Sequence, residues 1–262
     1  MSQRIHFHDE DALLERLSRG LNRRRQEVVF LVGSPISAPL GAGKPGVPDV
    51  DGVIDLIRRE FADDSNQLVA LRQALDQAGP DRYQEAFAFL QGRRGPQTAN
   101  EIVRAAVFAA WISTPPALNG LNQSGADETC RAMDLDIAGW AISPATTALG
   151  NLIAHYPGLF GKSILTTNFD PLLEVAIRRA GGHYFRTSLH ADGNLSQTEG
   201  TGCHVIHLHG YWYGSDTLHT SRQLSQTRPR LRASLASLLR NKLIVVSAYG
   251  GWDDSFTEAL ME

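Results

Sequence analysis

Val28-Val29-Phe30-Leu31-Val32-Gly33 is the stretch from which the fold can be read. Five apolar residues follow one another without polar alternation, and three of them are β-branched. A run of this kind predicts a strand buried on both faces, as in a parallel sheet. Upstream, Leu13, Leu14, Leu17 and Leu21 share one face of a helix from about Glu10 to Arg25, with Asp9 as N-cap. Arg23, Arg24 and Arg25 close it against the negative end of the helix dipole. Downstream, Gly33 to Asp51 (GSPISAPLGAGKPGVPDVD) holds four prolines and four glycines, so no helix continues through it. Loops of this length in a compact domain are usually functional. A helix is expected from Val53 to Phe61.

Helical spacing then repeats over Gln67–Gln77, Arg82–Leu90 and Thr98–Ile112 with no strand between them. Residues of about 62–140 therefore read as an inserted helical subdomain, with a loop over Thr114–Glu128. The last third alternates. Ser143-Pro144 opens a helix to His155, followed by a strand at Ser163–Thr166 and a helix over Pro171–Arg179 that Gly181-Gly182 ends. Strands at His183–Thr187 and Val205–His209 come next, then a helix over Pro229–Arg240, a strand at Leu243–Ser247, and a helix opening at Asp253. Such alternation predicts an α/β fold with a doubly wound, mostly parallel, Rossmann-like sheet. Its core spans about 26–61 and 141–262 and carries the helical insert.

The 262 residues include 25 Lys+Arg and 28 Asp+Glu, a net charge of −3. A dedicated nucleic-acid domain is usually strongly basic, so direct nucleic-acid binding is not expected. The two cysteines, Cys130 and Cys203, can form neither a disulfide framework nor a four-thiolate zinc site. They read as buried thiols in a reducing compartment. No window of about 18 apolar residues suggests a membrane span. Residues 1–10 (MSQRIHFHDE) lack the pattern of a signal peptide, so the expected location is the cytoplasm.

In doubly wound sheets, ligands bind at the carboxyl ends of the strands. Those ends carry Gly33-Ser34, Thr166-Thr167-Asn168-Phe169-Asp170, His207-Leu208-His209-Gly210 and Ser247-Ala248-Tyr249-Gly250. Gly41-Ala42-Gly43-Lys44-Pro45-Gly46 satisfies G-x-G-x-x-G, but it does not directly follow the strand, and Pro45 interrupts the turn into a helix. It reads as a lid with incidental glycines. Gly33 is different, because a glycine straight after a buried strand lets backbone approach a pyrophosphate. His207 and His209 point to one strand face, roughly 7 Å apart by strand rise. One is expected to be a packed core histidine, and His209, beside Gly210, the working one. No metal site is expected. Asp170 before Pro171 suits a helix cap, whereas Asn168 has no such structural reason. Tyr211, Trp212 and Tyr213 suit either stacking on a base or the edge of the core.

Gly33-Ser34-Pro35-Ile36-Ser37, Val47-Pro48-Asp49, Thr167-Asn168-Phe169-Asp170 and His209-Gly210 together resemble the sirtuin superfamily. That family has a Gly-Ala-Gly-x-Ser loop, a Pro-Asp pair, a Gln-Asn-x-Asp motif and a His-Gly motif. The Thr-Thr-Asn-x-Asp form with a helical insert is similar to the sirtuin-like domains of prokaryotic anti-phage defence proteins, which deplete NAD+. The resemblance covers about Val28 to Phe256. It departs at Gly33-Ser34-Pro35, at Val50-Asp51 after the Pro-Asp pair, and in lacking the four zinc cysteines of the deacylases.

The resemblance implies cleavage of NAD+ to nicotinamide and ADP-ribose, with water as acceptor and no metal. It makes His209 the base, since imidazoles titrate near neutral pH. Asn168 would orient the ribose or water, and Asp170 would favour a cationic transition state. Gly33 and Ser34 would face the pyrophosphate and Ser247 the adenosine side, with Ser37, Asp49 and Thr167 also in the pocket. The alternative is a sensor module that binds NAD+ or ADP-ribose without cleaving it. The chain ends at Leu260-Met261-Glu262 as a helix opens. It is therefore expected to be part of a longer protein or to work with a separate sensor or ATPase subunit, as a homo-oligomer.

Overall fold

A computed structural model describes residues 9–24, 27–114, 116, 122–195, 199–249 and 255–260. Its centre is a sheet of five strands: β1 (Val28–Val32), β2 (Ser163–Thr166), β3 (Tyr184–Ser188), β4 (Cys203–His207) and β5 (Leu243–Ser247). Their order is β3-β4-β2-β1-β5, and every pairing is parallel. From β1 the chain moves to one side to build β2, and it returns on the other side with β5. A reversal of this kind leaves a crevice at the carboxyl ends of the central strands.

Alternation along β1 explains its unbroken apolar run. Val29 and Leu31 pack on one face with Leu231, Leu235 and Leu239 of a helix at Pro229–Leu239 (α10), and with Phe256 of the helix Ser255–Leu260 (α11). Phe30 and Val32 pack on the opposite face with Leu149 and Ile153 of Pro144–His155 (α7) and Leu173 and Ile177 of Leu172–Arg179 (α8). Both faces of the strand are thus covered by helices, which only an apolar run can satisfy.

The helix α1 (Glu10–Arg24) starts where Asp9 accepts a hydrogen bond from the Ala12 N–H. Its apolar stripe is not a core face, since Leu13 and Leu14 are each 55% exposed. Arg25 lies outside the described residues. Between β1 and β2 lie α2 (Val50–Glu60), α3 (Ser65–Gln77), α4 (Arg82–Arg94), α5 (Pro96–Phe108) and α6 (Gln123–Leu135). They share one apolar cluster, which also takes in Leu172 and Val175 of α8 and Tyr211 and Trp212. The helical segment is therefore packed directly onto the chain that follows β4.

Three expectations need correction. The segment expected as a loop over Thr114–Glu128 is partly α6, which starts at Gln123 because the Asn122 side chain accepts from the Gly125 N–H. β4 ends at His207, so His209 sits in the turn beyond it. The strand expected at His183–Thr187 runs from Tyr184 to Ser188. The start of the last helix expected at Asp253 lies outside the described residues.

Gly33 needs its missing side chain for a reason not read from sequence. A Cβ there would stand 2.1 Å from the Ala248 carbonyl oxygen, so the tight approach is to backbone. The Gly33 N–H also donates to the Ser247 carbonyl at 3.2 Å. Gly33→Ala is expected to pry β1 from β5 and cost about 1–3 kcal/mol, the usual range for overpacking. Chemical denaturation of the variant beside the parent protein checks this, and equal midpoints would refute it.

Candidate functional site

Two short turns at the ends of β1 and β2 make the floor of the site. After Gly33 the chain forms a 3-10 turn, Ser34–Ser37, pinned by the Ser143 and Thr146 hydroxyls, which each donate to the Ile36 carbonyl at 2.7 Å. This places Ser37 in the interior. Its Oγ accepts from Asn168 Nδ2 at 3.0 Å and donates to Asp170 Oδ1 at 3.1 Å. After β2, the Asn168 N–H donates to Thr166 Oγ1 at 3.0 Å. Asp170 Oδ1 also accepts from the Leu172 N–H at 3.1 Å and so helps to start α8. Asn168 is 6% exposed and Asp170 4%. Among the described residues, Asn168 Oδ1 has no hydrogen-bond partner, so it is the half of the amide available to the cleft.

His209, also buried, comes from the third rim segment, and its carbonyl accepts from the Leu218 N–H at 2.8 Å. Gly210 follows at φ +93°, a conformation that favours glycine. Asn168, Asp170 and His209 line one cleft with Ser34, Asp49 and Thr167. Tyr83, Phe169, Leu218, Ala248 and Tyr249 add apolar surface to its lining. The cleft is partly open and has a volume of about 70 Å³.

The other predicted positions fall as follows. Gly33 and Ser37 lie behind the lining. Asp49 lines the cleft while its carboxylate accepts from the Gly52 N–H as the cap of α2. Ser247 ends β5 exposed and is not in the lining; Ala248, at φ +60°, and Tyr249 take its place. Gly41 and Gly43 are exposed, and a Cβ on either would meet open space. Among the described residues, no group of three or more His, Cys, Asp or Glu side chains is placed to hold a metal ion. No described helix is long and apolar enough to cross a membrane.

Electrostatics separate the buried carboxyls of Asp170 and Glu174. Burial pushes Asp170 up to about 6, against the hydrogen bonds from the Leu172 N–H and Ser37. Burial would also raise Glu174, but the Arg186 guanidinium and then His207 outweigh it and pull that carboxyl down to about 2. His207 is the packed histidine of the pair, with Nδ1 2.6 Å from the Asn168 carbonyl and Nε2 2.8 Å from Glu174 Oε1.

Sequence reasoning missed several buried or part-buried polar side chains outside the cleft's lining. Glu174 and Arg186 are bonded at 2.6 Å, and Arg186 continues to Asp134 at 2.9 Å. His219 stacks on Phe87 with centroids 3.8 Å apart, and its ring nitrogens meet Tyr83 Oη and Thr217 Oγ1. Burial, with the nearby His209, pushes it down to about 3, so it is neutral at pH 7. Tyr211 and Trp212 are core residues, and Tyr211 Oη donates to Asp134 at 2.6 Å. The sequence signal for Tyr211, Trp212 and His219 was the density of histidines and aromatics over residues 204–219, which does not reveal who pairs with whom.

Residues 162–262 match the family model of the SIR2-like domain. The matched region runs from β2 to the end of the chain and holds Asn168, Asp170 and His209. It supports a sirtuin-like domain there and a function tied to NAD+ in general. No curated protein matches the chain.

Proposed function

We propose that this chain is an NAD+ hydrolase that cleaves the nicotinamide–ribose bond and transfers the ribosyl carbon to water. The observation that carries this reading is the convergence of Asn168, Asp170 and His209, from two separate rim segments, on one buried cleft. The SIR2-like match over the same residues supports it.

In this reading the cleft takes the nicotinamide end of the dinucleotide, and the remainder lies along the rim past Ser34 and Thr167. The apolar surface of Tyr83, Phe169 and Leu218 excludes water from the ring. Pyridinium nicotinamide is a good leaving group, so bond breaking needs no acid, and positive charge grows on the ribose. The Asp170 carboxylate stabilises that charge in a site of low dielectric constant. Asn168 Oδ1 accepts from a ribose hydroxyl or the attacking water. His209 accepts the proton of the water as it adds. We further propose that depletion of NAD+ serves anti-phage defence in the cytoplasm, with the chain working in a homo-oligomer or beside a sensor subunit.

The test is chromatography of NAD+ after incubation with the protein. Free nicotinamide and ADP-ribose are expected, and Asn168→Ala and His209→Ala are each expected to lower their formation at least 100-fold while leaving the fold intact by circular dichroism. NAD+ retained intact on the protein would instead identify a sensor. Parent-like turnover in either variant would remove that residue from the mechanism.

A further inference from the structure

His207 is wholly buried, and both of its ring nitrogens face acceptors. The Asn168 carbonyl can only accept, so Nδ1 carries a hydrogen. The Arg186 guanidinium keeps Glu174 ionised against its burial, and Glu174 Oε1 lies 2.8 Å from Nε2. His207 belongs to a buried cluster with the Arg186 guanidinium and the carboxylates of Glu174 and Asp134. The Arg186 guanidinium joins the two carboxylates and lies over the Tyr211 ring at 3.8 Å, while the Tyr211 and Tyr213 hydroxyls donate to Asp134. Five stretches of chain contribute: α6, α8, β3, β4 and the segment after His209.

Buried ion clusters are poor sources of stability, because desolvation cancels most of the attraction. Placement is the use this one serves. Among the described residues, the cluster is joined to the cleft lining by the hydrogen bond from His207 to Asn168. That residue is then tied at three points: its N–H to Thr166 Oγ1, its carbonyl by His207 and its Nδ2 to Ser37 Oγ. We propose that His207 is a positioning residue that fixes the Asn168 backbone so that its Oδ1 faces the substrate. This deepens the reading of the cleft as an NAD+-cleaving site and rests on it for its effect on turnover.

The proposal places the effect in the Nδ1–H bond and not in the charge of the cluster, so two variants should diverge. His207→Phe keeps a ring but loses the bond. Its kcat is expected to fall at least 30-fold, with KM within threefold, at a temperature where circular dichroism shows the variant folded. Glu174→Gln can donate its amide hydrogen to a neutral His207, which keeps Nδ1–H on Asn168. Arg186 and Asp134 still balance each other. That variant is expected to retain kcat within threefold.

Crystal structures of both variants supply a readout independent of turnover. In His207→Phe the Asn168 Nδ2–Ser37 Oγ bond should be lost, and in Glu174→Gln it should persist. An unmoved Asn168 in His207→Phe overturns the proposal even if the parent protein cleaves no NAD+. A displaced Asn168 upholds the placement whatever becomes of the NAD+ reading. Should His207→Phe not fold, Glu174→Gln decides: a loss of kcat beyond 30-fold with Asn168 in place would put the effect in the charge and refute the proposal.

Discussion

Asp170→Asn is expected to melt at a higher temperature than the parent protein and to lose NAD+ cleavage. The carboxylate sits in the interior, where burial pushes it up to about 6 from the ordinary 3.8. A shift of that size means that keeping the group ionised costs the fold about 2–3 kcal/mol at neutral pH. The asparagine Oδ1 can still accept from Ser37 and the Leu172 N–H, which are the two bonds Asp170 Oδ1 receives. Its amide nitrogen, at the former Oδ2 position, can reach the cleft.

The sign with pH follows from the raised value. The folded protein binds the proton more tightly than the unfolded chain, so protonation favours the fold. That contribution is complete below about 3.8 and is lost as pH rises through about 6. The advantage of the variant should be full at pH 7.5, shrink near pH 5 and vanish near pH 4. On the proposed reading, removing the Asp170 charge should lower kcat by about 10²–10³-fold. Urea denaturation at pH 7.5 and 4.5, with NAD+ turnover beside it, checks both halves. A variant less stable than its parent at pH 7.5 would show that the carboxylate is held by the fold and not endured by it.

Glu174→Ala is expected to be among the most damaging single substitutions, at about 3–5 kcal/mol, the range for removing one partner of a buried ion pair. Glu174 is 1% exposed, and its Oε1 receives both Arg186 Nε and His207 Nε2. Alanine leaves the buried Arg186 guanidinium with Asp134 alone, takes the partner from His207 Nε2 and opens a cavity on α8. The depressed acidity of Glu174 gives the pH signature. Its contribution is present above the ordinary 4.5 and is lost as pH falls towards about 2. The parent and the alanine variant should therefore differ most above pH 5 and converge in strong acid. Denaturation midpoints from pH 3 to 8 measure this, and a constant gap across that range would assign the loss to packing alone.

The sheet was legible because its signal is local. Val28–Val32 and Leu243–Ser247 are single apolar runs, and each maps onto a strand with the expected bounds. The cap at Ser143-Pro144 gave α7 its limits for the same reason. The start of α6 was not legible, since Ser124 and Gly125 are weak helix formers and the helix is held by buried Ala126, Cys130 and Met133. β4 stops at His207 because the chain turns there, and an apolar pattern continuing to Leu208 hides that turn. The order of motifs on the strand ends brought Ser34, Thr167, Asn168, Asp170 and His209 to attention. The cluster of Asp134, Glu174, Arg186 and His207 left no such trace. Its members stand 12 to 73 positions apart, and only tertiary packing brings them together.

The stacked ring of His219 joins Phe87 of α4 to Phe169 on the rim, while Tyr83 from that same helix walls the cleft. The opening is thus a seam between two layers rather than a dent in one. Whatever fills it would stitch the helical layer to the sheet, and its affinity would be felt as resistance to unfolding throughout the molecule. Heat tolerance would then act as a gauge of occupancy, and consumption of the occupant would loosen the protein that consumed it.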